Sequence, residues 1–352
     1  MRKSVLLLLL LSFFPLSLFS QQLEPFRNVV SNGYNFWVYT PPHGHSSDSS
    51  YGSGTESLRK PLVIFLHGAS LCGKDLARVR RYGVLHAIQM GLDLDGYVLA
   101  PQNPGGAWKP SNINQCLDYV VAHYPVDTNR IYVIGMSLGG FGTIDYLAVY
   151  HNRVAAAMAI CGGGNPKEYC GLNEVPLWIV HGNADKQVSI NASYKVINAM
   201  RRCDEMLPRL IFTELDGVNH TFPARLFYLE STYNWLFEHR RNDLVRLPNQ
   251  SYSISTDDMK NAYRTLRRRA EPLKVLSASV GQTGSQTDAP SDVKSAKTKT
   301  SGNASAQYYK VKRGDSLGKI ASRNNTTIAK LCKLNGLSRN AKIYEGQKIR
   351  VR

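Results

Sequence analysis

The sequence predicts an α/β protein with a mostly parallel central sheet, followed by a small second domain. From about residue 35 to residue 240, short β-rich apolar runs alternate with longer helical patterns. Strands that alternate with helices indicate a sheet covered by helices on both faces. The composition changes after residue 241, and a compact, patterned segment resumes at Tyr308. A length of 352 residues also favours two domains.

The first residues have the layout of a cleavable signal peptide. A positive start, Met1-Arg2-Lys3, precedes the apolar stretch Leu6–Phe19 and the small-residue cleavage site Ser20-Gln21. The apolar stretch is short for a bilayer span, which needs about 20 residues. We therefore expect residues 1–20 to be removed and the mature protein to be secreted without a transmembrane anchor, into the periplasm, the cell wall or the medium.

Residues 21–242 form the predicted catalytic domain, in which strands and helices alternate. The predicted strands are Asn35–Thr40, Leu62–Leu66, Tyr97–Ala100, Ile131–Gly135, Ala155–Ile160, Leu177–His181 and Leu210–Leu215. The predicted helices are Leu76–Met90, Ile113–His123, Gly139–Tyr150, Ile190–Glu205 and Phe222–Arg240. A Ser/Gly-rich loop, His43–Ser57, separates the first two strands. In such sheets the reactive groups gather at the carboxyl ends of the strands.

Residues 243–307 are predicted to connect the two domains. Thr256–Ala270 is predicted to form a basic helix with Thr256 as its N-cap, because acidic residues lie in its first turn and arginines lie at its end. This distribution of charge is typical of a solvated surface helix. Ser277–Gln307 is dominated by Ser, Thr, Ala, Gly and Lys. Because such a segment cannot bury enough apolar surface to fold, we expect a flexible tether.

The positive charge is concentrated in the C-terminal third of the chain. The sequence has 43 Lys and Arg residues and 26 Asp and Glu residues, a net charge of +17, of which residues 243–352 contribute +14. A basic segment can bind nucleic acid, an anionic membrane or an anionic polymer. For an exported protein the anionic cell envelope is the simplest partner, and we expect no nucleic-acid partner.

The six cysteines form no disulfide framework pattern and no metal motif. They are Cys72, Cys116, Cys161, Cys170, Cys203 and Cys332. Cys161 and Cys170 are close enough in sequence to pair if the loop between them folds back, and the alternative is that the thiols are buried or free. We expect no metal and no cofactor.

The strongest local signal is the segment Gly135-Met136-Ser137-Leu138-Gly139. It follows the β-rich run Ile131–Ile134 and precedes a helical run. A strained strand-to-helix turn exposes a serine hydroxyl, and the flanking glycines let neighbouring backbone approach closely. The segment therefore predicts Ser137 as a nucleophile.

A serine nucleophile needs a base, and the base needs an acid that orients it. In this kind of sheet they come later in the chain, the acid before the histidine. Asp185 follows the strand Leu177–His181, and His220 follows the strand Leu210–Leu215. Asp216 and Glu214 are the alternative acids, but they lie in or beside the strand that leads to His220. We therefore predict Asp185 as the acid and His220 as the base.

The oxyanion hole requires two backbone N–H groups. The amide of Leu138 is one, directly after the nucleophile. We assign the second to Ala69, in the loop after the strand Leu62–Leu66, with Ser70 as the alternative; a structural role is expected for the neighbouring His67.

Trp108 follows the strand Tyr97–Ala100 on a Pro/Gly-rich loop that should overhang the same face. We expect it to line the substrate pocket, with a core position as the alternative.

Residues from about 25 to 240 resemble the α/β-hydrolase superfamily, and within it the polyhydroxybutyrate depolymerase, feruloyl esterase and dienelactone hydrolase-like group. The motifs that carry the resemblance are His67-Gly68, Val126–Ile131 leading into Gly135–Gly140, His181-Gly182 with Asp185, and Gly217 with His220. The resemblance implies the fold and the triad, but not the substrate. The same group includes peptidases related to prolyl oligopeptidase.

Residues 308–352 resemble a LysM module. The matching segments are Tyr309–Leu317, Ile320-Ala321, Thr327, Leu331, Leu334-Asn335, Ile343 and Gly346–Ile349. The resemblance implies a βααβ fold that binds N-acetylglucosamine-containing glycans such as peptidoglycan or chitin. Its 12 basic and 2 acidic residues favour an anionic wall. The alternative is a folded spacer without a ligand.

Together these features predict a secreted serine esterase, acting on acyl groups of a polysaccharide and tethered to the cell wall. A peptidase with the same triad is the first alternative. A cell-wall-binding protein whose hydrolase fold is catalytically silent is the second.

Overall fold

The computed structural model describes residues 22–42, 59–266, 273–276 and 279–280, and then 308–312, 315–324, 326–335, 337, 343 and 347–351. The predicted signal peptide, the loop His43–Ser57 and most of the predicted tether lie outside the described residues. The chain divides into two compact units, Met1–Thr283 and Gly284–Arg352.

The first unit is built on one sheet of ten strands. The strands are β1 (Gln22–Arg27), β2 (Asn35–Thr40), β3 (Lys60–Leu66), β4 (Tyr97–Gln102), β5 (Val126–Met136), β6 (Ala156–Ile160), β7 (Leu177–Gly182), β8 (Leu210–Leu215), β9 (Lys274–Val275) and β10 (Ser279–Val280). Their order is β10-β1-β2-β4-β3-β5-β6-β7-β8, and β9 also pairs with β1. Only β2 is antiparallel to its neighbours β1 and β4, while β4, β3, β5, β6, β7 and β8 run parallel. This is the sheet of an α/β hydrolase, so the predicted fold class is confirmed.

Helices cover both faces of the sheet. They are α1 (Val84–Gln89), α2 (Pro110–His123), α3 (Leu138–Tyr150), α4 (Asn191–Arg201), α5 (Glu230–Phe237) and α6 (Thr256–Thr265). Two separate apolar clusters fill the space between helices and sheet, one on each face. Every residue of β4 and of β7 is buried, as expected for parallel strands covered on both sides.

Two of the predicted helices are each divided into a 3₁₀ segment and a shorter α-helix. The predicted helix Leu76–Met90 consists of the 3₁₀ segment Leu76–Arg80 and α1. Gly83 separates them with a φ of 86°, and a Cβ there would lie 2.1 Å from the ring of Phe65. The second, Phe222–Arg240, consists of the 3₁₀ segment Phe222–Tyr228 and α5.

The first unit extends past residue 242, where the sequence placed the end of the catalytic domain. Helix α6 packs against the 3₁₀ segment Phe222–Tyr228, with Met259 and Ala262 fully buried. Its N-cap is Ser255 rather than the predicted Thr256. The apolar side of α6 is therefore part of the core, and the helix is not the solvated surface element that its charges suggested.

One disulfide joins Cys170 to Cys203, so the pairing considered between Cys161 and Cys170 is wrong. Cys161 is instead a buried thiol at the end of β6. Among the described residues, no helix is both long enough and apolar enough to cross a membrane.

The second unit has the predicted βααβ order. Its elements are β11 (Tyr308–Lys310), α7 (Leu317–Arg323), α8 (Ile328–Asn335) and β12 (Lys348–Arg350). The strands β11 and β12 form an antiparallel pair. A small core holds the unit together, with Val311, Ile320, Ala321, Leu331, Ile349 and Val351 buried.

Candidate active site

Ser137 occupies the turn between β5 and α3. Its backbone has a φ of 57° and a ψ of −121°, a strained conformation for a residue with a side chain. Two glycines make the turn sterically accessible. A Cβ on Gly135 would lie 2.2 Å from the carbonyl oxygen of Gly139, and a Cβ on Gly139 would lie 1.8 Å from that of Leu66. The turn can therefore form only where both positions lack a side chain.

His220 and Asp185 continue from Ser137 in one chain of hydrogen bonds. The Nε2 atom of His220 lies 2.9 Å from Oγ of Ser137, and its Nδ1 atom lies 2.6 Å from Oδ2 of Asp185. Because a carboxylate oxygen only accepts, Nδ1 carries the hydrogen and Nε2 is free to accept the serine proton. The structure thus brings the three predicted triad residues together in the order that serine activation requires.

The Asp185 carboxylate is held in its ionised form. Burial alone would raise its pKa, but hydrogen bonds from His220 and from the amides of Val188 and Gln187 bring the pKa below its ordinary value. A carboxylate that stays charged can stabilise the imidazolium that forms on His220 during proton transfer.

The two alternative acids lie away from the histidine. Glu214 and Asp216 both accept hydrogen bonds from the side-chain amide of Asn183, at 3.1 and 3.0 Å. Neither contacts His220 among the hydrogen bonds of the described residues. Of the three candidate acids, only Asp185 therefore hydrogen-bonds to His220 among the described residues.

The two predicted oxyanion donors lie at the starts of helical turns. Leu138 is the first residue of α3, and Ala69 is the first residue of the 3₁₀ turn Ala69–Leu71. Backbone amides at such positions have no acceptor within their own helix. Ala69 and Ser70 both line the cavity at Ser137, so the assignment of the second donor to Ala69 stays a prediction.

His67 fixes the loop that carries Ala69. Its Nδ1–H donates to the carbonyl oxygen of Gly68 at 2.8 Å, and its Nε2 accepts from the amide of Asn103 at 3.0 Å. Burial lowers the pKa of His67 to about 4, so the ring is neutral at physiological pH. It connects the loops after β3 and β4, which is the structural role expected for it.

Trp108 does not line the cavity, contrary to the prediction. It is 3% exposed and belongs to the core on one face of the sheet. Its indole N–H donates to the carbonyl oxygen of His67 at 3.2 Å, and its ring occupies the space beside Gly142 of α3. The loop after β4 therefore turns this side chain inward to support the active-site loops from behind.

A cavity of about 320 Å³ opens directly at Ser137. One side of its wall is mainly apolar, formed by Ala69, Met136, Ala224 and the ring of Tyr82. A second cavity of about 360 Å³ shares Gln187, His220 and Thr221 with the first and is otherwise lined by Ala184, Lys186 and Asn219. His220 thus borders both a mainly apolar cavity, which contains Ser137, and a more polar one.

Tyr82 is a site residue that the sequence did not indicate. Its hydroxyl oxygen accepts the amide hydrogen of Gly68 at 2.7 Å. Burial raises its pKa, so the hydroxyl remains protonated. Tyr82 lies in an irregular segment between the 3₁₀ segment Leu76–Arg80 and α1. No sequence motif surrounds it, so only its tertiary contacts reveal that it lies at the site.

Three residues of types that can bind a metal ion lie close together around the same hydrogen-bond chain. Single side-chain ligand atoms of Cys161, Asp185 and His220 lie within 4.8 Å of one another. Nδ1 of His220 already hydrogen-bonds to Asp185, and its Nε2 hydrogen-bonds to Ser137. The grouping is accounted for by the triad geometry.

Comparison with known proteins identifies the second unit. Residues 309–352 match the family model for the LysM domain, which confirms the predicted resemblance. The N-acetylmuramoyl-L-alanine amidase sle1 of Staphylococcus aureus, in strains USA300 and COL, is 43% identical over 72 residues. This stretch covers 20% of each chain, so the match spans about a fifth of the length of these relatives.

Solved structures similar to this chain include several hydrolases. A thermostable esterase has a TM-score of 0.46 with 22% identity, over 58% of this chain and 59% of that one. The fluorophosphonate-binding serine hydrolase F of Staphylococcus aureus has a TM-score of 0.44 with 15% identity, over 64% and 99%. The feruloyl esterase module of Clostridium thermocellum, complexed with sinapinate, has a TM-score of 0.40 with 16% identity, over 57% and 82%. The strand order and crossovers of the sheet, rather than these similarities, define the fold.

Proposed function

We propose that this protein is a serine hydrolase that cleaves carboxylic esters, with Ser137 as nucleophile, His220 as general base and Asp185 as the acid that orients it. The observation that carries the proposal is the unbroken hydrogen-bond chain from Ser137 Oγ through His220 to Asp185. At the serine end of this hydrogen-bond chain, Ser137 lines a cavity, so a substrate carbonyl can reach it.

In the proposed reaction, Ser137 Oγ attacks the ester carbonyl while Nε2 of His220 takes the serine proton. The amides of Leu138 and Ala69 stabilise the negative charge on the carbonyl oxygen. The C–O bond to the alcohol then breaks, and His220 returns the proton to the leaving alkoxide. Water activated by His220 hydrolyses the acyl-enzyme and releases the acid.

The two cavities support a substrate with unlike ends. An acyl or aryl-acyl group suits the apolar pocket beside Tyr82 and Met136, since apolar surface is favourably buried there. A hydroxylated leaving group, such as a sugar, suits the polar pocket beside Lys186 and Asn219. We therefore favour acyl groups on polysaccharide as the substrate class.

The test is a comparison of the wild-type protein with Ser137→Ala. We expect a fluorophosphonate probe to label the wild type and not the variant, and hydrolysis of p-nitrophenyl acetate to fall to background. Unchanged hydrolysis in the variant would refute the assignment, and failure of the probe to label the wild type would favour a silent, wall-binding fold. A parallel screen of short peptides against esters decides between esterase and peptidase.

We further propose that the LysM domain holds the enzyme on peptidoglycan or a related N-acetylglucosamine glycan after export. The family match, the basic charge of residues 243–352 and the similarity to a wall amidase support this. The disulfide between Cys170 and Cys203 is consistent with an oxidising, exported location.

Removal of residues 284–352 tests the tether. We expect the shortened chain to keep its turnover of small esters and to lose retention on insoluble peptidoglycan in a pelleting assay. If the shortened chain pellets as well as the full chain does, the LysM domain is not the anchor.

A further inference from the structure

A second histidine contacts the carboxylate of the proposed triad. His181 lies in β7, immediately before Gly182, and its side chain is completely buried. Its Nε2 atom lies 2.9 Å from the carbonyl oxygen of Val188 and 3.3 Å from Oδ2 of Asp185. The same Oδ2 accepts from His220, so the carboxylate lies between two imidazoles.

The partners of His181 determine its tautomer. A carbonyl oxygen cannot donate, so the contact with Val188 requires a hydrogen on Nε2. On the other side of the ring, Oγ of Ser193 lies 2.8 Å from Nδ1 and 3.0 Å from the carbonyl oxygen of Gly162. The one hydrogen of this hydroxyl serves one of these two acceptors at a time, and an Nδ1 without a hydrogen is one of them. Burial lowers the pKa of His181, against smaller effects of Val188 and Asp185 that raise it. The ring is therefore neutral, and its one hydrogen is on Nε2.

His181 contacts the same turn, residues 185–188, that holds the carboxylate of Asp185. Oδ1 of Asp185 accepts from the amides of Gln187 and Val188, at 2.8 and 2.9 Å. His181 contacts the carbonyl of Val188 and the second carboxylate oxygen. The aspartate is thus fixed from its own loop through Oδ1 and from strand β7 through Oδ2.

We infer that His181 is a positioning residue of the proposed triad, whose Nε2–H, shared between Val188 and Asp185, holds the carboxylate in line with His220. The inference rests on the proposed function. His181 does not touch the reacting atoms, and it acts only through Asp185. A neutral donor at this place also shares the negative charge of Asp185, which weakens the pull of the carboxylate on the imidazolium of His220.

Few other ionisable groups face this arrangement among the described residues. Asp185 and His220 are the titratable neighbours that act on the pKa of His181. The thiol of Cys161 hydrogen-bonds to Asp185, and burial raises its pKa to about 12, so it remains neutral across the working pH range. A change in pH dependence on altering His181 would therefore be transmitted through Asp185.

A matched pair of amides at position 181 tests the inference in the full chain. In His181→Gln the side-chain amide extends to the position of Nε2, whereas in His181→Asn it reaches only the position of Nδ1. We expect H181N to lower kcat/KM for p-nitrophenyl acetate by roughly 10- to 100-fold and to move the acid limb of its pH profile to higher pH. We expect H181Q to restore most of the activity and the position of the acid limb. Ser193→Ala is the control, because it removes the partner of Nδ1 and leaves the contacts of Nε2 intact.

Equal losses in H181N, H181Q and S193A, with the acid limb unmoved, would overturn the inference and leave His181 a structural residue. Nitrogen-15 NMR of histidine-labelled wild-type protein gives an independent readout if a variant does not fold. A hydrogen on Nε2 of His181 supports the inference, and a hydrogen on Nδ1 overturns it. Normal probe labelling of Ser137 alongside unaffected H181N would reject this inference alone, whereas absence of labelling in the wild type would reject the proposed function.

Discussion

At the residue scale, the three candidate carboxylates accept hydrogen bonds from different donors. Asp185 accepts from the ring of His220, while Glu214 and Asp216 accept from Asn183 on the neighbouring loop. Sequence position favours Asp185, because it follows a strand of its own whereas Glu214 and Asp216 lie in or beside the strand that leads to His220. Direct hydrogen bonding to the base is the property that distinguishes Asp185.

This difference predicts unequal effects of two similar substitutions. Asp185→Asn should lower kcat for ester hydrolysis by about 10⁴-fold, because an amide in this place favours the wrong tautomer of His220 and does not stabilise its charged form. Asp216→Asn should leave kcat close to the wild-type value. Steady-state kinetics with p-nitrophenyl acetate measures both, and similar losses in the two variants would contradict the assignment.

At the element scale, α6 stabilises the region that presents His220. Ser255 and Asp258 form a capping box at the start of this helix, which fixes where the helix begins. The buried side chain of Met259 contributes to the core beside the 3₁₀ segment Phe222–Tyr228. Since that segment begins two residues after His220, the packing of α6 supports the loop of the proposed base.

Two shortened chains should therefore differ in stability. A chain of residues 21–283 keeps α6 and the pairing of β10 with β1, whereas a chain of residues 21–242 loses both. We expect the shorter chain to have the lower free energy of unfolding. In the longer chain, Met259→Ala should cost about 2–5 kcal/mol, as for other buried methionines.

Urea unfolding of the three proteins measures these differences. Equal unfolding midpoints for the chains ending at residues 242 and 283 would show that α6 is not part of the cooperative unit.

At the scale of the whole molecule, buried histidines make stability depend on pH, and two of them have large pKa shifts. Burial lowers the pKa values of His67 and His239 to about 4. In the unfolded chain a histidine has a pKa of about 6.5, so the unfolded state takes up protons at a higher pH than the folded state does. Stability is therefore full above about pH 6.5 and is lost as the pH falls toward 4. The lowered pKa of Asp185 acts in a separate window, at more acidic pH.

We expect the free energy of unfolding to fall between pH 7 and pH 5 by about 2 kcal/mol for each of these histidines. His239→Phe should reduce this pH-dependent fall in the free energy of unfolding by the contribution of one histidine, since a buried phenyl ring takes up no proton. Urea unfolding of wild type and variant at the two pH values measures it. An unchanged pH dependence in the variant would assign the effect to other groups.

Much of the fold could be predicted from local sequence patterns. The seven predicted strands all occur, with ends shifted by a few residues, because an apolar run bounded by turn residues needs little distant information. Strand β1 (Gln22–Arg27) was not predicted, because it includes Pro25 and gains its stability from pairing with β2 and the short β9 and β10. Some longer helices differ from their predictions in where they end or are divided into two segments. At Gly83, for example, close contact with the ring of Phe65 overrides the local helical preference.

By itself, the sequence determined the order of strands and loops, the serine turn, the later acid and histidine, and the C-terminal LysM domain. Each of these is encoded by residues that are close together in the chain. Only the tertiary structure showed that Asp185 hydrogen-bonds to His220, that Trp108 turns into the core, that Cys170 pairs with Cys203, that His181 contacts Asp185 and that Tyr82 contacts Gly68. These outcomes depend on which distant loops meet and how closely, and the free energy of such contacts is set by packing and burial that short stretches of sequence do not specify.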